Sequence, residues 1–265
     1  MNPCTLASIH LYPIKSLGGF AVNEARLTDR GLAHDRRLML VDADGVFVSQ
    51  RERPAMACLH TAPLPDGFRV TDTRDGSTLD LPWSMKSTGT RMAGVWSDRV
   101  RTEELDPAWS GWFAERLGAP LALVRMPDRT KRRTDGRYAN ALTSLSDGFP
   151  YLIAGQASLD DLNARLEQPV GMDRFRPNLV IGGGTAFQED GWRTVRIGEV
   201  RFDLVKPCAR CVIITTDQRT GERGKEPLRT LATYRSRGNK VLFGMNAVGD
   251  ADGTVRVGDA VTVVS

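Results

Sequence analysis

Val200-Arg-Phe-Asp-Leu-Val-Lys-Pro-Cys-Ala-Arg-Cys-Val-Ile-Ile-Thr-Thr216 holds two of the four cysteines of this chain, spaced C-x-x-C. Apolar and polar residues alternate up to Val205, and β-branched residues follow the second cysteine. That pattern predicts a strand on each flank, Val200–Val205 and Val212–Thr216. Lys206 precedes the pair and Arg210 lies within it, so two thiols stand at a strand junction among fixed positive charges.

Working outward, Thr194–Ile197 pairs with Val200–Val205 around Gly198. Asn178–Ile181, Tyr151–Ala154 and the alternating tail Val255–Val263, read as a hairpin, extend the β pattern. The first half adds Ser8–Lys15, ended by Pro13, and a hairpin of Arg37–Val41 and Val46–Ser49 around Asp42-Ala-Asp-Gly45. Cys58–Thr61, Phe68–Thr71, Thr78–Leu81 and Leu121–Val124 read as further short strands. Helices are predicted from Asp106 to Gly118, from Ser158 with Leu159, Leu162 and Leu166 inward, and from Pro227 to about Gly238. The fold class is therefore mainly β with a few helices, and the many glycine turns favour barrels over sandwiches. We place a boundary near the structureless stretch after Val124, giving domains at 1–125 and 126–265.

The chain has 265 residues, 36 basic against 32 acidic, a mild net charge of +4. The densest basic run, Arg129-Thr-Lys-Arg-Arg133, lacks interleaved aromatics, so it reads as a solvated loop rather than a site for a nucleic-acid polymer. Another reading is that a few arginines converge on a small phosphorylated ligand. No run of about 18 apolar residues predicts a membrane span. The start lacks the pattern of a secretory signal, and four cysteines are too sparse for a disulfide scaffold, so a reducing cytoplasm is expected.

A zinc site wants four ligands, but Cys4 and Cys58 are isolated and His10, His34 and His60 all lie in the first quarter. A thioredoxin-like centre wants a helix after the pair, not β-branched residues. Simple packing does not explain Lys206 and Arg210. One thiolate held by positive charge and offered to a soft metal within a cofactor is what remains. Lys15 and Ser16 at a Gly-rich turn, with Arg36 and Arg176, add donors suited to phosphate.

These motifs resemble the MOSC-domain family. Within it the chain is similar to the two-domain branch of the mitochondrial amidoxime-reducing component and the bacterial 6-hydroxylaminopurine-resistance proteins. Leu11-Tyr-Pro-Ile-Lys-Ser16, Gly31-Leu-Ala-His-Asp-Arg36 and Val48-Ser-Gln-Arg51 match an N-terminal MOSC-type β-barrel domain. Asp147-Gly-Phe-Pro150, Ala157–Leu162, Phe175-Arg-Pro-Asn178, Glu189-Asp-Gly-Trp192 and Pro207-Cys-Ala-Arg-Cys211 match a MOSC β-barrel domain.

The resemblance implies a molybdenum cofactor, with Cys211 as the metal ligand and Cys208 as its neighbour. Lys15, Ser16, Arg36, Arg176, Asn178 and Arg210 would contact the pterin and its phosphate. Asp147 matches an acidic residue beside the metal that positions substrate or carries protons. Phe149 and Ala209 stand where some relatives have serine. The implied activity is reduction of N-hydroxylated compounds, amidoximes or N-hydroxylated bases. The chain ends at Ser265 without further cysteines for a 2Fe-2S domain, so electrons are expected from a separate flavin or iron–sulfur protein. Two other readings stand beside it: a cofactor carrier or sulfur-transfer module, and a zinc- or thiol-only binding protein.

Overall fold

The computed structural model describes residues 3–265. Strands dominate, and three α-helices are present among the described residues: α1 (Pro107–Leu117), α2 (Gln156–Asn163) and α3 (Leu228–Tyr234). The largest sheet runs Phe20–Val22, Thr5–Leu11, Leu179–Gly182, Tyr151–Gly155, Lys240–Gly249, Val200–Arg210, Thr194–Ile197, Val261–Val263. Its first two strands come from the N-terminal half and pair onto the second half through Thr5–Gly182 and Ile9–Leu179. Among the described residues of this sheet only Tyr151–Gly155 and Leu179–Gly182 are parallel, with α2 in the crossover that parallel pairing requires.

The ladders alone form an open path. A single bridge, Thr5 to Ala260, with Val261 N donating to Cys4 O at 2.9 Å, brings the last strand back against the first. The N-terminal half adds a four-stranded sheet (Leu38–Val41, Ala122–Arg125, Asp98–Glu104, Gly89–Val95) and a three-stranded one (Leu59–Leu64, Gly67–Asp72, Thr78–Pro82). One apolar cluster joins both halves, including Leu6, Ile9, Phe68, Phe113, Ile153 and Phe202. Trp109 and Trp112 of α1 pack half-buried against it.

Four local expectations change. Val212–Thr215 is a 3-10 turn rather than a strand, and Ile214 is buried in the cluster holding the stacked rings of Phe175 and Phe243. Tertiary packing overrides the β preference of those residues. The tail does not form a hairpin on itself. Thr254–Arg256 joins Glu24–Thr28, while Val261–Val263 joins Thr194–Ile197. Alternation reports which face is buried, not which strand is the partner. Val46–Ser49 is held by isolated bridges, not a ladder.

Helix α2 starts at Gln156, so Ser158 is not its cap. The Ser158 hydroxyl donates to buried Glu189, and that carboxylate accepts from Gly155 N at 3.0 Å at the helix entrance. Burial raises the Glu189 pKa against those hydrogen bonds.

Candidate functional site

The strand Val200–Arg210 carries the cysteine pair to the floor of a cleft between the two halves. Its pairing with Lys240–Gly249 slips between Pro207 and Ala209, a bulge that turns Cys208 out of register. Cys211 directly follows the strand and leads into the 3-10 turn. Both cysteines line the cleft, and both are half-buried and free. Burial pushes the Cys208 thiol pKa up, with Arg210 working against it.

Six cationic side chains line the cleft (Lys15, Arg36, Arg51, Arg174, Arg176 and Arg210) against one carboxylate, Asp147. They arrive from segments far apart in sequence. Arg36 N donates to Tyr12 O at 2.8 Å, which ties the Arg36 turn to the end of the first long strand. The Arg36 guanidinium donates to Asp35 (2.7 Å), Asn178 Oδ1 (3.0 Å) and Arg176 O (3.0 Å).

Tyr12 lies between two guanidiniums, Arg36 at 4.3 Å and Arg176 at 4.4 Å from its ring centre. Burial pushes its pKa up to about 12 although both arginines oppose the shift, so it remains a neutral aromatic platform.

Arg176 differs from the other arginines that line the cleft. Beyond Tyr12 its guanidinium has no hydrogen-bonding or ionic partner among the described residues, and burial pushes its pKa down to about 10. A desolvated cation without a counter-ion is costly unless an anion joins it. Arg210 gives the same signal on a smaller scale. Its Nε and one terminal nitrogen donate to Phe243 O (2.9 Å) and Phe175 O (3.0 Å), and the other nitrogen is buried without a partner. Tyr151, another lining residue, has a buried hydroxyl that is likewise orphaned.

Asp147 stands at the mouth with its side chain 62% exposed. Lys15 Nζ donates to it at 2.5 Å, Trp96 Nε1 at 3.3 Å, and Arg51 lies 3.6 Å away. Desolvation acts to raise the Asp147 pKa, but Lys15, then Arg51 and Trp96, outweigh it and hold the carboxyl well below the usual range. Lys15 is lowered by burial, partly offset by Asp147. The segment bearing Asp147 is threaded by Arg132, which donates to the carbonyls of Ser144 (3.0 Å), Ser146 (2.6 Å) and Asp147 (2.9 Å).

Backbone strain gathers here. Among the described residues six non-glycine residues have positive φ; Ser16 (69°), Arg36 (47°) and Arg176 (56°) line the cleft, and Trp96 (56°) touches Asp147. Such conformations persist where the surrounding fold holds a functional geometry.

Two family descriptions match the chain, a MOSC N-terminal beta barrel domain over residues 4–120 and a MOSC domain over residues 141–262. Mitochondrial amidoxime-reducing component 1 of Homo sapiens is 34% identical, over 97% of this chain and 82% of its own length. The chain belongs to the MOSC-domain family. The molybdenum cofactor sulfurase of Oryza sativa subsp. japonica is 34% identical over 91% of this MOSC protein, which spans only about a third of that relative (32%). Among solved structures, the YUAD protein of Bacillus subtilis aligns over 97% of this chain with a TM-score of 0.43 at 8% identity.

All eight site residues expected from the MOSC resemblance line this one cleft: Lys15, Ser16, Arg36, Asp147, Arg176, Asn178, Arg210 and Cys211. Asn178 has a different emphasis from the rest. Its amide accepts from Arg36 and Leu152 N and donates to His10 O, so it braces Arg36 from a fully buried position.

Sequence reasoning missed three contributors. Arg51 sits at the end of a quoted motif but had no role attached. Trp96 carries no sequence signal, because Trp-Ser is not a recognisable hairpin turn. Arg132 belongs to a run whose composition predicts a solvated basic loop, yet it is only 5% exposed and pairs with Asp98 at 2.7 Å. Among the described residues no three His, Cys, Asp or Glu side chains converge as a metal cluster, and no helix is long and apolar enough to cross a membrane.

Proposed function

We propose that this chain is a molybdenum-cofactor-dependent reductase of N-hydroxylated compounds, amidoximes and N-hydroxylated bases, fed by a separate flavin or iron–sulfur protein. The observation that carries the reading is the donor set of the cleft. A half-buried thiol just past a strand end lines the same cleft as Arg176, whose guanidinium has no hydrogen-bonding or ionic partner among the described residues, and as Arg210, one of whose nitrogens is orphaned. A soft ligand beside unspent anion donors fits a group that joins a metal to a phosphorylated organic tail.

In this reading Cys211 would hold the molybdenum, and Lys15, Ser16, Arg36, Arg176 and Arg210 would hold the pterin and phosphate. When bound, the cofactor supplies the two-electron chemistry of N–O cleavage. The remaining work falls to the chain. Asp147, kept ionised by Lys15, is an acceptor suited to substrate N–H groups, and the proton of the pair resides on Lys15 Nζ. Asn178 and Asp35 fix Arg36, and Arg132 fixes the segment that presents Asp147.

Two domains at 1–125 and 126–265 and a cytoplasmic setting belong to the same reading. Four free cysteines suit a reducing compartment.

A cofactor carrier or sulfur-transfer role is the second reading, favoured by the similarity to molybdenum cofactor sulfurases. The test is to purify the protein from a host that makes the cofactor, measure molybdenum, and add benzamidoxime with a chemical reductant. Stoichiometric metal with turnover supports the reductase. Metal without turnover supports the carrier, and zinc or no metal overturns both.

A further inference from the structure

The strands Gly89–Val95 and Asp98–Glu104 pair from Val95–Asp98 onward, which leaves Trp96 and Ser97 as a two-residue turn. Such turns favour glycine, asparagine or aspartate where φ is positive. Here a tryptophan takes that position with φ 56°. A bulky residue in this conformation costs free energy that a simple surface turn has no reason to bear.

Trp96 is also 51% exposed, the only tryptophan among the exposed large hydrophobic residues of the described chain. It is nonetheless anchored on three sides. Its indole N–H reaches Asp147 at 3.3 Å, the Arg51 guanidinium lies 4.5 Å from its ring, and Phe47 meets it edge-on at 5.0 Å. Phe47 in turn lies under Lys15 at 5.1 Å. The ring is therefore held at the mouth of the cleft by the same carboxylate that holds Lys15.

From this geometry, and resting on the reductase reading above, we infer that Trp96 is a specificity-determining residue. It is the platform on which a planar aromatic N-hydroxylated substrate lies while Asp147 accepts its N–H. An aromatic amidoxime or N-hydroxylated base has both requirements in one molecule: a flat π face for the indole, and N–H donors in that plane for the carboxylate. A small aliphatic amidoxime has only the second. Preference for the aromatic compound then resides in Trp96, and the orientation of the N–OH group resides in Asp147.

The experiment compares benzamidoxime with acetamidoxime, using molybdenum-loaded parent, Trp96→Ala and Trp96→Phe with a chemical reductant so that no protein donor takes part. A second arm follows tryptophan fluorescence as benzamidine or acetamidine, the corresponding amidines, is titrated into each protein without turnover. Thermal melts confirm folding, and Trp96→Gly supplies a folded alternative because glycine suits the turn. In Trp96→Ala the preference for the aromatic compound, in KM rather than kcat, should fall roughly three- to tenfold. Trp96→Phe should retain much of the preference, and the benzamidine-induced fluorescence change should vanish with the indole.

Equal losses for both amidoximes would overturn the inference and leave Trp96 as a brace for Asp147. If the parent reduces neither compound, the reductase reading fails, and the titration decides the platform alone. Weaker binding of benzamidine, but not acetamidine, by Trp96→Ala supports it, and no difference overturns it.

Discussion

Lys15 Nζ lies 2.5 Å from Asp147 Oδ1, joining segments 132 residues apart at the mouth of the cleft. The pair has a pH signature. The folded pKa of Asp147 lies below its unfolded value, so its stabilisation is present above about pH 4 and is lost as pH falls further. Exposure of the carboxylate keeps the effect modest. Denaturant titrations of parent and Asp147→Asn at pH 7 and pH 3 should show the parent losing more stability between them. An equal loss in the variant would mean that the pair contributes nothing to folding.

Arg176 should separate stability from cofactor retention. Arg176→Gly removes a non-glycine residue from the left-handed region, which relieves about 1 kcal/mol of strain, and returns a similar cost through the freer unfolded chain. Apo-protein stability should therefore stay within about 1 kcal/mol of the parent. Molybdenum content should fall severalfold, because the cleft guanidinium that has no hydrogen-bonding or ionic partner among the described residues is gone. Thermal melts and elemental analysis of the same preparation check both halves.

Much of this site was legible because its parts are chemically distinctive: glycine-flanked Lys15-Ser16, Phe175-Arg-Pro-Asn178 and the cysteine pair all fall in one cleft. Three strands that build the frame were not legible. Lys240–Gly249 breaks its alternation at Gly244, which has φ 71° and where a Cβ would stand 2.8 Å from Ile153 O. The hairpin of Gly89–Val95 and Asp98–Glu104 was hidden because Trp-Ser occupies its turn in place of Asn-Gly. Arg132 was hidden for another reason, since composition cannot say which arginine of a basic run points inward.

The two cysteines should not be equivalent. Cys208 sits at a bulge with its thiol pKa raised by burial, while Cys211 follows Arg210, the last residue of the strand. Cys211→Ser should abolish molybdenum binding, and Cys208→Ser should retain most of it. Metal analysis after gel filtration reads this directly. Equal losses would show that the ligand assignment is wrong.

Arg132 should matter more than its place in a basic run suggests. Its guanidinium satisfies three carbonyls in Ser144–Asp147 and pairs with Asp98 from a position 5% exposed. Arg132→Ala leaves those buried acceptors unmatched, at a cost of about 3–5 kcal/mol. Arg132→Lys keeps the charge but replaces a planar fork with a point donor, so it recovers only part of that loss. The segment it holds presents Asp147, so both variants should lose turnover under conditions where they remain folded. Denaturant curves give the stability term, and turnover well below each midpoint separates a loosened Asp147 from an unfolded chain. A fully stable and active Arg132→Ala would show that Ser144–Asp147 is held by its other contacts, the Thr143–Ser146 and Ser146–Phe149 hydrogen bonds among them.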